Sequence, residues 1–270
     1  MRPLDDAPAY DAIAATYDEQ VHGDEWMRQV LWRHFQETFQ AGDRVLDVAC
    51  GTGIDAVFLA QQGIQVTGID ASPRMIERLD RKVCAVQLGD RIDARVLDFS
   101  QLRLLSAGSF DGIISSFAGL NVESDLGQFA ADAAYLLRPG GRMILHLLGP
   151  SGLWERLGLL ARGQWRVASR LGSQPERDFT IGTRLVRHYL FQPDEAYQRY
   201  FAGLFLRQRV YSLGCLRPPH TSRRVPPFIV AGLGRVERTL ASHRPLVNWG
   251  RFFVLELRRK DRADPDEPAG

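Results

Sequence analysis

The chain has 270 residues, enough to bury a sizeable core as one large domain or two small ones. Its 45% hydrophobic and 24% charged residues are those of an ordinary globular protein, and a formal net charge of +2 is too small to argue for a nucleic-acid partner. Three cysteines, Cys50, Cys84 and Cys215, are too widely spaced for a CxxC pair or a His/Cys cluster, so neither a metal site nor a disulfide framework is expected.

In chain order, residues 1–8 are rich in proline and aspartate and are expected to fray. "YDAIAATYDEQ" follows. In "EWMRQVLWRHFQETFQ", Trp26, Val30, Leu31, Phe35 and Phe39 recur at helical spacing and predict an amphipathic helix packed on the domain. From residue 43 strand and helix alternate. "RVLDVA" is a strand, 54–61 a helix stopped by Gly63, and "IQVTGID" a strand. Ser72 caps the next helix with Pro73 at its first position. "DARVLDF" and "DGIISSF" are further strands; a helix at 125–137 ends at "RPGG" before a fifth strand, "RMILHLL". This alternation predicts an α/β fold, a doubly wound and mostly parallel sheet with right-handed crossovers. Beyond residue 150 the pattern loosens. A helix is expected at 151–171, with Pro193 opening a short one, "LRQRVYSLG" a strand and "RPPHTSRRVPP" a loop. A last helix falls at about 227–242, "GRFFVLELRRK" alternates as a final strand, and 261–270 reads as a disordered tail. The polar N-terminus, the unpaired cysteines and the lack of an apolar run near the ~20 residues that span a bilayer make a cytoplasmic protein the expectation.

The glycine turn after the first strand is the main chemical signal. "GTGIDA" satisfies the dinucleotide pattern G-x-G-x-x-G/A, with Asp70 roughly 17 residues beyond Gly53, near the spacing of a ribose-binding acid. A plain structural turn satisfies it too. Three features argue against a dinucleotide. Asp47, within the first strand, repels a pyrophosphate but suits an ammonium group. Asp98 and Phe99 end the third strand with an acid and a ring that suit an adenine. The last strand follows a long connection instead of another β-α repeat.

The ordered set "VLDVACGTG", "GIDAS", "LDFS", "FDGIISSF" and "LLRPGGRMIL" resembles class I S-adenosylmethionine-dependent methyltransferases over about residues 40–150. The resemblance implies a seven-stranded Rossmann-like sheet, with lid helices over 1–40, a cofactor-binding core over 41–150 and an acceptor-side cap over 151–260. It implies S-adenosylmethionine as cofactor and methyl transfer to O or N of a small, apolar or amphiphilic molecule. Gly51 and Gly53 would admit the methionine part of the cofactor, and Asp47 with the Ala49 and Cys50 backbone would meet its amino end. Asp70, followed by Ala71, resembles the acid that binds both ribose hydroxyls. Asp98 resembles the adenine acceptor with Phe99 beside it, and Ser115 to Phe117 would face the sulfonium. Tyr17 would close over the carboxylate, or pack with Tyr10 in a lid helix.

On the acceptor side the candidates are Asn121, Trp154, His188, Tyr189 and Tyr211. His146 and Asn121 are the catalytic candidates, each with a bland alternative: a buried histidine bonded to a carbonyl, and a turn or N-cap amide. The leucines and tryptophans of 151–171, interleaved with Arg156, Arg162, Arg166 and Arg170, read as a capping helix or as one that touches a membrane surface. An RNA or protein methyltransferase is the alternative enzyme. Ser222 to Arg224, with Arg207, Arg209 and Arg217, forms only a thin basic face for it, so no nucleic acid is expected. A non-catalytic cofactor-binding protein is the other alternative, and oligomeric state is left open.

Overall fold

The computed structural model describes residues 6–150, 152–218 and 225–261. The N-terminal segment holds α1 (Ala7–Ile13), α2 (Tyr17–Val21) and α3 (Glu25–Thr38). The α/β alternation follows as β1 (Arg44–Val48), α4 (Ile54–Gln61), β2 (Gln65–Asp70), α5 (Pro73–Ala85), β3 (Ile92–Val96), β4 (Phe110–Ser115), α6 (Gly127–Leu136) and β5 (Leu137–Leu148). Beyond it come α7 (Leu153–Ala161), α8 (Trp165–Arg170), β6 (Glu176–Ile181), β7 (Arg184–Tyr189), α9 (Pro193–Ala196), β8 (Phe205–Leu213), α10 (Pro227–Leu240) and β9 (Phe252–Arg259).

Seven strands form one sheet in the order β3-β2-β1-β4-β5-β9-β8. β1 pairs in parallel with β2 and β4, whereas β9 runs antiparallel to both β5 and β8. The order reverses direction between β1 and β4, and a crevice opens there at the carboxyl ends of the strands. The central strands carry near-continuous apolar runs because helices cover both faces: Val45, Leu46, Val48, Ile113 and Ile114 are fully buried. On one face α3 sends Leu31 and Phe35 into the core; on the other α6 sends Phe129, Ala130 and Ala133. The Ser72 cap holds as expected, its hydroxyl accepting from Met75 N at 3.1 Å.

Three expectations change. The helix expected at 151–171 is two helices, because Gly163 takes a left-handed φ of 74° and breaks it. The N-terminus is built into the fold from Asp6 onward, and Ala9 of α1 is 1% exposed. The hairpin β6–β7 is an addition. Its strands pair antiparallel across the two-residue turn Gly182–Thr183, and Gly182 packs within 3.1 Å of Ile13 for a Cβ position. Residues 1–5, the Ser222–Arg224 run and the 262–270 tail lie outside the described residues.

Candidate active site

Everything at the crevice begins with the turn after β1. Ala49, Gly51 and Gly53 all take left-handed φ, 56°, 55° and 74°. Gly53 has no alternative, since a Cβ there would sit 2.1 Å from Leu79 Cδ1. The turn opens α4, and Gly51 N donates to Asp70 Oδ2 at 2.8 Å, tying the tip of β2 to the loop. Asp70 Oδ1 accepts from Ser72 N at 2.9 Å. Burial pushes the Asp70 carboxyl up to about 6; Asp11 and Asp98 add to this, and the two N–H bonds oppose it.

Across the crevice, β4 ends in a second strained turn. Phe117 and Ala118 take φ of 52° and 64°, a conformation that costs an ordinary residue of order 1–3 kcal/mol and clusters at functional sites. Gly119 lets this turn touch the first, because a Cβ would lie 2.6 Å from Ala49 Cβ. Between the two turns lies a chamber lined by Tyr17, Ala49, Gly51, Asp70, Ala71, Asp98, Phe99 and Phe117 among the expected residues. Asp6, Tyr10, Met75, Leu97, Ser116 and Val122 line it as well. Ser116, rather than the buried Ser115, meets the space, and Gly53 lies beneath the loop.

One end of the chamber is acidic and buried. Asp47 is 1% exposed, and its Oδ2 has no hydrogen-bond partner among the described residues. Burial, then the charge of Asp55, holds its carboxyl well above the usual range. Asp55 is itself satisfied by Trp32 Nε1 at 2.7 Å and Arg28 Nη1 at 2.6 Å. Arg28 is the residue of this niche that sequence reasoning missed. It is 7% exposed, lies with its guanidinium carbon 4.3 Å from the Phe117 ring centroid, and lines the same niche as Asp47, Tyr17 and Cys50. Its signal was a cation on the buried face of α3, three residues before Leu31 and seven before Phe35.

At the far end Asp98 uses Oδ1 to accept from Ser100 N at 2.7 Å, while its buried Oδ2 has no partner among the described residues. Phe99 and Leu97 flank it.

His146 lies at the end of β5 behind Phe117. Its Nδ1 accepts from Phe117 N at 3.2 Å, so Nε2 carries the proton, and that buried N–H has no partner among the described residues. Burial lowers its pKa to about 3, so the ring is neutral. It therefore bonds a backbone N–H, not the carbonyl of the bland alternative. His188, on β7, donates from Nδ1 to Val186 O at 3.3 Å, which leaves Nε2 as an acceptor for the Tyr10 hydroxyl at 3.5 Å. Burial lowers its pKa as well.

The other acceptor-side candidates lie elsewhere. Asn121 is fully buried, its amide donating to Tyr189 O at 2.5 Å and Leu148 O at 3.3 Å and accepting from Leu148 N at 3.0 Å. It ties the hairpin to the sheet with both of its N–H groups and one of the two lone pairs of its oxygen. Trp154 donates to Leu216 O at 3.0 Å in the cap. Tyr189 faces the cleft beside α9, and Tyr211 faces α3 and α10, away from the chamber.

The sheet order, the paired left-handed turns and the acid at the tip of β2 define a class I S-adenosylmethionine-dependent methyltransferase. A family profile for a methyltransferase domain matches residues 45–141. A demethylmenaquinone methyltransferase of Symbiobacterium thermophilum is 31% identical over 204 residues, covering 69% of this chain and 78% of that protein. The chain belongs to this methyltransferase family and is an enzyme of it, with S-adenosylmethionine as cofactor. A ubiquinone biosynthesis O-methyltransferase of Xanthomonas axonopodis is 35% identical over 108 residues, 40% of this chain and 44% of that one. The fold is shared with a geranyl diphosphate C-methyltransferase of Streptomyces coelicolor, solved with S-adenosyl-L-homocysteine, at a TM-score of 0.56 and 14% identity over 87% of this chain and 81% of that one.

The residues fit the cofactor. Asp47 offers an unpaired carboxylate oxygen to the ammonium, and Arg28 a cation to the carboxylate. Asp70 has lone pairs left for two ribose hydroxyls, and Asp98 Oδ2 is free for the adenine amino group. The chamber, about 90 Å³, holds only a handful of waters at roughly 10–15 Å³ each. Tyr10 and Tyr17 close it from the lid side, so α1 and α2 must move to admit a nucleoside.

Proposed function

We propose that the enzyme methylates a hydroxyl of a small, apolar or amphiphilic ring compound, and that His188 takes the proton. The observation that carries this reading is the Tyr10–His188 contact. Tyr10 lines the chamber, and behind it a neutral imidazole nitrogen faces the Tyr10 hydroxyl, the arrangement an acceptor hydroxyl would adopt in the place of Tyr10. Phe179 packs edge-on to His188 with ring centroids 5.0 Å apart, and Phe117 walls the chamber, so both surfaces suit a flat apolar ring.

Bound S-adenosylmethionine supplies a methyl already activated by its sulfonium. The chain's task is positioning, with the acceptor oxygen about 3–3.5 Å from that carbon and in line with the breaking C–S bond. The new O–C bond takes the oxygen's electron pair, the sulfur keeps the pair of the broken bond, and the hydroxyl proton passes to His188 Nε2. One relative is named for demethylmenaquinone, which supports a lipophilic ring acceptor, and another as an O-methyltransferase of ubiquinone biosynthesis, which supports oxygen as the methylated atom. Arg207 and Arg209, two cations of the thin basic face, are taken up by Asp194 and Glu37, which weighs against RNA.

The test is mass spectrometry of a panel of demethylated quinols and other phenols incubated with the protein and S-adenosylmethionine. One added methyl on oxygen is the expected result. Replacing His188 by Ala should lower kcat about 10²-fold or more and leave S-adenosylhomocysteine affinity unchanged. Transfer to RNA or peptide with none to the phenols, turnover of none of them, or full activity in the variant, would overturn the reading.

A further inference from the structure

Helices α3 and α10 flank edge strand β8 and enclose a second cavity of about 340 Å³ that shares no lining residue with the cofactor chamber. Tyr211 lies in its wall. It is 4% exposed and stacks on His34 with ring centroids 4.5 Å apart. Its hydroxyl is buried with no hydrogen-bond partner among the described residues. A buried O–H left in this state costs about 1–3 kcal/mol, a cost that a ligand oxygen would remove.

Two of the acids around the cavity, Glu237 and Glu37, are already engaged. Glu237 accepts from the backbone N–H groups of Gly214, Cys215, Leu216 and Arg217, at 2.7, 3.2, 3.0 and 2.6 Å. Glu37 faces Arg209 at 3.2 Å. Glu256 is buried, with Oε2 3.8 Å from Arg209 Nε; its Oε1 lies 2.8 Å from His34 Nδ1 but has no hydrogen-bond partner among the described residues, because that nitrogen faces Arg209 Nη1 at 3.0 Å. The cations are not balanced in the same way. Arg33 and Arg238 line the cavity, and among the described residues neither has a carboxylate within ion-pair distance. Trp26 supplies a flat wall, with the Arg217 guanidinium 4.4 Å from its ring centroid.

We propose that this cavity binds a small molecule bearing two or more oxyanion groups, phosphate or carboxylate. Arg33 and Arg238 neutralise the charge at the mouth, and the Tyr211 hydroxyl donates to an oxygen at the base. Phosphate and carboxylate share this chemistry: planar guanidinium forks match either, and a neutral phenol donates to either. The site is independent of the acceptor reading. It shares only helix α3 with the active site, which presents Arg28 to the chamber and Arg33 to this cavity.

The test is calorimetry on the full chain saturated with S-adenosylhomocysteine, so that the cofactor site is filled. Pyrophosphate and citrate are titrated separately, and comparing the two tells a phosphate site from a carboxylate site. At least one should bind saturably at one per chain. Tyr211→Phe should weaken that binding about tenfold or more, and the Arg33→Gln/Arg238→Gln pair should remove it. Without ligand, Tyr211→Phe should melt no lower than the parent, because the hydroxyl has no partner to lose; this separates a lost contact from a damaged fold. If neither anion binds at millimolar concentration, or if binding is unchanged in Tyr211→Phe or in the paired arginine variant, the proposal is overturned.

Discussion

If Asp70 holds the ribose, as we propose, its carboxylate must be ionised to accept two hydroxyls, yet burial holds it up at about 6. With a folded pKa above the ordinary carboxylate value of 3.8, the ligand-free protein loses stability as pH rises from about 4 to about 6, because the native state binds the extra proton over that window. Cofactor affinity runs the other way, since only the carboxylate accepts both hydroxyls. At pH 5 an acid of pKa 6 is ionised about one part in eleven, so S-adenosylhomocysteine should bind about tenfold more weakly at pH 5 than at pH 7.5. Calorimetry at the two pH values checks this. Asp70→Asn should bind weakly at both and lose most of the difference, and Asp47, raised by burial beside Asp55, accounts for any slope that remains.

Arg28 shows the same economy of charge. It stands among Asp47, Asp55 and Tyr17 with 7% of its surface exposed. Arg28→Leu leaves two buried acids without their cation and should cost about 3–5 kcal/mol in denaturant unfolding. Arg28→Lys keeps the charge but loses the fork held by Asp55, and should fold while binding S-adenosylhomocysteine less tightly.

At the scale of the element, the glycine loop is built from two positions with different demands. Gly53 combines a left-handed φ with a Cβ position 2.1 Å from Leu79. Gly53→Ala should therefore destabilise the fold by about 1–3 kcal/mol or more, through strain and overpacking. At Gly51 a Cβ would meet Tyr17 Cε1 at 3.6 Å, an ordinary contact. Gly51→Ala should pay mainly the left-handed penalty, about 1 kcal/mol, and a urea melt of both variants should rank them in that order. This loop was legible in the sequence because glycines at fixed spacing between a buried strand and a helix have few readings. So was the alternation from β1 to β5, where buried parallel strands read as continuous apolar runs. The β6–β7 hairpin was not. Its strands are half exposed, so charged and apolar residues mix in "ERDFTI" and "RLVRHY", and only Gly182 at the turn marked it. Asn121 stayed between an acceptor-side role and a turn amide for a related reason. A polar residue near the crevice looks functional until its three hydrogen bonds, to Leu148 and Tyr189, show that it is a strut for that hairpin.

At the scale of the whole molecule, the lid and the hairpin depend on each other, and both depend on the cofactor site. Helix α1 rests on the hairpin through Ile13 against Gly182 and through Tyr10 on His188. It also rests on the core, where Asp11 accepts from the Ser72 hydroxyl and from Arg74 N at the start of α5. Its apolar contacts, Ile13 and Ala14 with Met75, Tyr10, Tyr17 and Ile181, form a small cluster apart from the two main cores, so opening costs less than global unfolding. A chamber of about 90 Å³ under Tyr10 and Tyr17 requires such opening for entry. A cofactor placed as we propose, against Tyr17, Asp70 and Asp98, would hold the lid down and stabilise the native state. At a hundredfold excess over Kd the gain is about 2.7 kcal/mol. For a chain of this size that corresponds to a rise in Tm of roughly 5 °C. Hydrogen exchange should slow in α1, α2 and the β6–β7 hairpin together when S-adenosylhomocysteine is added, and much less in α10. Tyr10→Phe removes the bond to His188 and should speed exchange in the hairpin of the ligand-free protein without lowering Tm by more than a degree or two. Protection that appears in the lid but not in the hairpin would mean that the two open separately, and that His188 meets its acceptor independently of α1.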